Sequence, residues 1–167
     1  ADVAQELLDR APQDEELQNI LVTLLQKSNQ DSVAVVRLHS FYQDDTSRID
    51  MLDYAGRLEV KMGRSKEGIA HLLRVIEVKP QSAHTLFFLS MGYAQEGETD
   101  NALEAIERAL KIDSIDAALH TQRVLVLMSG SRFSQATQAL DDWKAATADT
   151  ATLPEIRATV WTTEAFH

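Results

Sequence analysis

Small residues recur at a fixed interval along this chain: Ala34, Gly68, Ala102 and Ala136 stand 34 positions apart. Four places after each comes a large aliphatic residue, Leu38, Leu72, Ile106 and Leu140. In a helix, residues four apart lie one above the other on the same face. The pattern therefore stacks a small and a large side chain on one stripe of a recurring helix. Turn-forming residues keep the same step, with Gly63 and Gly97 in one register and Asn29 and Ser131 at its outer copies. Pro12 and Pro80 hold another, with Thr46, Ser114 and Ala148 in the equivalent places. A period of roughly 20–50 residues means that each unit is one supersecondary motif, which buries its apolar face only against its neighbours.

Each unit reads as two helices. In "AHTLFFLSMGYAQEG", Leu86, Leu89 and Tyr93 are spaced three and four apart, and Gly97 ends the run. In "TDNALEAIERALKID", Ala102, Ile106, Ala109 and Leu110 share a face, and Thr99 or Asp100 is expected to cap the start. The small residue has a mechanical reason. Two antiparallel helices joined by a tight turn approach closely there, and the large residue one turn on fills the space as they diverge. Good helix formers dominate the composition, and Gly and Pro together number only nine, so the fold class is all-α.

The pattern resembles the tetratricopeptide repeat, a helix–turn–helix of 34 residues with small residues on both helices, a Gly at the turn and a Pro near the end. The resemblance implies a right-handed α-solenoid of such units: repeats at 15–48, 49–82, 83–116 and 117–150, a second helix of a truncated repeat at 1–14, and a capping helix or the start of a next repeat at 151–167. Ile156, Val160 and Trp161 would dock that last segment. A chain that begins mid-unit is expected to be a piece of a longer protein. Two positions depart from the family pattern. Its usual Trp place holds Gln18, Leu52, Leu86 and His120, and the second small place of the second helix holds Phe41, Val75 and Trp143 beside Ala109.

In that family the concave face of the superhelix is lined by the first helix of each unit. Carried over, the resemblance implies a partner-binding face of Tyr54, Arg57 and Lys61, then His84, Phe87, Phe88, Met91 and Gln95, then Gln122, Leu125 and Met128. Leu86, Leu89 and Tyr93 already supply a core face, so Phe87 and Phe88 are expected to be aromatics additional to the fold, with self-packing between units as the competing fate. The expected partner is a protein or peptide with an apolar stripe, its acidic flanks facing Arg57 and Lys61. Some members grip a C-terminal carboxylate with a clamp of Lys, Asn and Arg. Here the matching places hold Asn19, Thr23, Tyr54, His84 and Phe88, which lack the cations for it. The function implied is a non-catalytic interaction scaffold. The alternative is an assembly or regulatory module of a larger enzyme or of a secretion, envelope or polysaccharide-export complex, forming a homo-oligomer through exposed repeat ends.

Charge and composition bear on the remaining classes. A net charge of −10 disfavours nucleic acid and anionic membrane surfaces, and no apolar run reaches the ~18–20 residues of a membrane span. With no cysteine there is no disulfide or thiolate–zinc framework, which suits cytoplasm and periplasm alike. Among five histidines no pair has the HExxH spacing. His84 and His120 are expected near one another on successive first helices, without a metal. "GRSKEG" lacks the Lys-Ser/Thr of a phosphate loop and reads as an inter-helix turn. Neither a nucleophile elbow nor a sheltered carboxylate pair is present, so no catalytic residue, cofactor or enzymatic activity is expected.

Overall fold

The computed structural model describes Glu6, Asp9 and residues 14–28, 30–44 and 48–146. Among these are eight helices: α1 (Glu15–Lys27), α2 (Asp31–Asp44), α3 (Ile49–Lys61), α4 (Ser65–Val78), α5 (Ala83–Gln95), α6 (Thr99–Ile112), α7 (Ala117–Ser129) and α8 (Phe133–Ala146). The odd-numbered helices start at Glu15, Ile49, Ala83 and Ala117, and the even-numbered ones at Asp31, Ser65, Thr99 and Phe133, so each series advances by 34. The expected terminal segments, 1–14 and 151–167, lie outside the described residues save for Glu6, Asp9 and Asp14, as do Asn29, Thr46 and Ala148.

Local chemistry sets the ends of the helices. The turns inside the hairpins need a left-handed residue, supplied by Gly63 (φ +75°), Gly97 (φ +78°) and, one unit on, Ser131 (φ +57°). Ser82 and Asp116 cap α5 and α7 by accepting from the backbone N–H groups of Thr85 and Ala118. The expected cap of α6 is corrected. Thr99 and Asp100 are already helical, and the capping place falls to Glu98, whose carboxylate accepts from Asn101 Nδ2 and not from the backbone.

Each helix packs on its hairpin partner, α2, α4 and α6 pack on the first helix of the next hairpin, and α3 also touches α5 and α5 touches α7. This is an all-α, right-handed solenoid, with the odd-numbered helices on the inner wall and the even-numbered ones outside. Its core runs along the stack. Ala34, Ala102 and Ala136 have no exposed surface and Gly68 is buried, as are Leu38, Leu72, Ile106 and Leu140 beneath them. No described helix is long and apolar enough to cross a membrane.

The two family departures are resolved by volume. Positions 23 apart come together within each hairpin: Leu52 and Val75 share one core cluster, Leu86 and Ala109 the next, and His120 stacks on Trp143. In the last pair the bulk has changed sides. Trp143 on α8 is 2 % exposed, and its ring stacks on His120 of α7 at 5.4 Å and 4°. His120 Nε2 donates to the Ser114 carbonyl at 2.9 Å. His120 is thus buried against Trp143, and His84, on the preceding odd-numbered helix, is exposed and bonded to Arg57.

Candidate functional site

The inner wall has two parts. The first is built around Arg57 of α3. Its Nε lies 3.0 Å from Asp53 Oδ2, one turn earlier on the same helix, and Nη1 donates to His84 Nδ1 at 3.0 Å. The guanidinium sits 5.2 Å from the centre of the Tyr54 ring and 5.9 Å from that of Phe88. Asp53 in turn accepts from the buried Thr85 hydroxyl at 2.8 Å, which ties α3 to α5. Lys61 is exposed, with Nζ 5.5 Å from the Phe88 centroid. A cation–aromatic wall thus joins two successive units in a chain whose overall charge is −10.

Phe88 supplies that wall from below. The expectation that it is additional to the fold is corrected: it is 5 % exposed and belongs to the core cluster of Leu72, Leu86, Leu89 and Ile106. Phe87 is half-buried, edge-to-face on Phe88 at 5.3 Å, and Met91 is half-buried on the same cluster. Tyr54 is half-buried on the preceding cluster, and burial raises its phenol pKa above 10.0 against the opposing effect of Arg57, so it stays a donor at neutral pH.

The second part is a shallow depression between α5 and α7, lined by Met91, Ala94, Gln95, Gln122, Leu125 and Ser129. Leu125 is 49 % exposed, an apolar side chain turned to solvent on the inner wall. Gln122 is buried, and Gln95 accepts from the Ser65 hydroxyl, which occupies its amide oxygen. Met128 is half-buried against the last core cluster, beside Val124 and Leu140. Of the apolar residues expected on this face, Leu125 and Met91 line the open depression, Phe87 and Met128 are half-buried outside it, and Phe88 lies within the stack.

A family profile described as "Tetratricopeptide repeat" matches residues 3–163. The chain belongs to the tetratricopeptide repeat family. Members generally serve as protein-interaction scaffolds. Solved structures agree on the fold. A tetratricopeptide repeat protein from Parabacteroides merdae superposes with a TM-score of 0.84 at 12 % identity, covering 98 % of this chain and 65 % of its own. MamA from Desulfovibrio magneticus gives 0.79 at 14 %, covering 87 % and 84 %. The Pseudomonas aeruginosa pilF structure gives 0.72 at 15 %, covering 98 % and 77 %. A curated relative, "Protein CTR9 homolog" of Arabidopsis thaliana, is 33 % identical over 91 residues, 54 % of this chain and 8 % of that protein. The chain thus spans less than a tenth of its curated relative.

His84 gives the tetratricopeptide wall a pH dependence. Although the residue is exposed, its ring packs edge-on against Phe88, and its pKa lies below 6.5, chiefly through this partial desolvation and next through Arg57, with Lys61 acting the same way and Asp53 and Asp116 opposing. A histidine with a depressed folded-state pKa contributes stability above its unfolded value, and this is lost as pH falls through the folded one. The neutral ring also accepts the Arg57 bond, and a protonated ring cannot. On lowering pH from about 8 to about 5, the native chain should therefore lose more thermal stability than His84→Gln does. NMR titration of the imidazole should place its midpoint below 6.5, and a midpoint above that value would refute the sign.

One polar cluster lies elsewhere and was missed by sequence reasoning. Glu59 of α3 is 2 % exposed, with His39 of α2 and His71 of α4 on either side. His71 Nδ1 donates to Glu59 Oε2 at 2.7 Å, His39 Nε2 stands 3.4 Å from Glu59 Oε1, and the two rings meet at 4.6 Å. The signal lay in the repeat columns: stepping by 34, Glu59 falls in register with Leu25, Tyr93 and Leu127. A carboxylate in that core column needs partners, because burying a lone charge is costly.

Proposed function

We propose that this chain is a docking module for a peptide or helix of a protein partner, seated along the inner wall. The observation that carries the reading is the open apolar depression between α5 and α7, with Leu125 turned to solvent beside Met91. An apolar stripe on the ligand would enter there. Lys61 makes no ion pair among the described residues, and it suits an acidic flank over Tyr54 and Phe88; Arg57 is already held by Asp53. Burying one Leu- or Met-sized side chain yields roughly 1.5–3 kcal/mol, and about 1.4 kcal/mol is tenfold in affinity. Two anchors with a charged flank support micromolar binding after the cost of association.

The experiment uses labelled amphipathic peptides bearing leucines at helical spacing and an acidic flank, read by fluorescence anisotropy. The native chain should bind them. The double substitution Met91→Glu and Leu125→Glu should weaken binding at least about tenfold, with helicity unchanged by circular dichroism. Equal binding by native and substituted chains would reject the site. Concentration-dependent self-association in sedimentation, with no peptide affinity, would favour assembly through the ends of the array.

A further inference from the structure

The outer half of the solenoid carries chemistry that a docking module does not use. His39, Glu59 and His71 come from three helices of two successive units, and one ligand atom from each lies within 4.8 Å of the others. We propose that these three side chains bind a divalent transition-metal ion, zinc in the first instance, and that the ion staples α2 to the α3–α4 hairpin.

Three observations support the site. The donor set is two imidazoles and one carboxylate, a combination that binds zinc with a fourth position left for water or an outside ligand. The spacing suits it. Bonds of about 2.0–2.1 Å in a tetrahedron set neighbouring ligands about 3.3–3.4 Å apart, and His39 Nε2 is 3.4 Å from Glu59 Oε1. The partners are also under-used. His39 Nε2 is a buried nitrogen with no hydrogen-bond partner, although it faces the carboxylate. The other carboxylate oxygen, Glu59 Oε2, accepts an N–H···O bond of 2.7 Å from His71 Nδ1, and the edge between the two imidazoles closes the triangle within 4.8 Å. On metal binding the Nδ1 proton leaves to solvent, the neutral ring carries its one proton on Nε2 instead, and His71 and the carboxylate separate by about 0.6 Å to the ligand spacing.

The surroundings define what the site can hold. The His39 and His71 side chains are 30 % and 24 % exposed, so the fourth position faces solvent on the outer wall. Arg64 is the opposing charge, acting on His39 from the turn between α3 and α4. With two imidazoles and a single carboxylate, the site suits a metal that imidazole binds well and not a hard cation such as calcium or magnesium, which wants oxygen ligands. Because the ligands span two units, binding stabilises the interface between them by mass action.

The test uses the whole chain, freed of metal by chelation and titrated with Zn²⁺ by calorimetry and with Co²⁺ by visible absorption. One equivalent of Zn²⁺ should bind and raise the melting temperature, and Co²⁺ should give the intense bands of a tetrahedral centre. His39→Gln and His71→Gln, each checked for native helicity, should each weaken Zn²⁺ binding at least about tenfold. His39 Nε2 makes no hydrogen bond to lose, so His39→Gln should fold. Absence of Zn²⁺ binding by the native chain would overturn the proposal, as would full affinity in both variants. A Co²⁺ spectrum of octahedral intensity would do so independently of any substitution.

Discussion

Gly68→Leu is expected to open the α3–α4 hairpin and to lower stability by more than about 3 kcal/mol. A Cβ at this position would stand 2.7 Å from Val60 Cγ2, 2.8 Å from the Gly56 carbonyl oxygen and 3.1 Å from the Val60 nitrogen. Two of those atoms are backbone of the facing helix and cannot rotate away. Helix propensity alone favours Ala over Gly by about 1 kcal/mol, but overpacking costs about 1–3 kcal/mol. Gly68→Ala should therefore already be mildly destabilising, and Leu adds three more carbons to the same crossing. Urea midpoints give the size of the effect. Amide exchange gives its place, because repeat arrays loosen locally before they unfold globally. An unchanged midpoint for Gly68→Leu would mean that the two backbones do not cross where Gly56 and Gly68 meet.

Trp143→Ala should cost about 3–5 kcal/mol, the range for a fully buried large aromatic. The side chain is 2 % exposed and stands among Val124, Leu127, Ala136, Ala139 and Leu140, with the His120 ring stacked on it. The buried members of that cluster are alanines or are already packed, and Leu103 and Met128 are half-buried at its edge. Trp143→Phe should lose less, because a ring still faces His120. A double-mutant cycle with His120→Ala, followed by circular dichroism in urea, isolates the stack, for which about 0.5–1.5 kcal/mol of coupling is expected. Additivity of the two single substitutions would reduce the stack to plain burial.

Much of the fold was readable from the columns of the repeat. The small residues sit without exposed surface where helices cross, and helix starts keep the 34-residue step along the whole described array. That legibility has a physical basis: a crossing tolerates few side chains, so it leaves a sharp mark. The inner wall was harder to read. A face assigned by helical register says which way a Cβ points, not how near the next helix comes, and Phe88 was misjudged for that reason. Leu125 holds the register place that Met91 holds one unit earlier, yet one is open and the other half-covered. The Glu59 cluster escaped because its three members stand in three different columns. Only the intrusion of an acid among Leu25, Tyr93 and Leu127 marks it.

The exchange of bulk between His120 and Trp143 limits how far the units can be treated as interchangeable bricks. Grafting α6 in place of α8 would bring Ala109 to the spot that Trp143 fills and leave a hollow opposite His120. The reverse graft would drive an indole into Leu86. Shuffling or consensus engineering of this array should therefore move whole hairpins, so that each pair travels with its own complement.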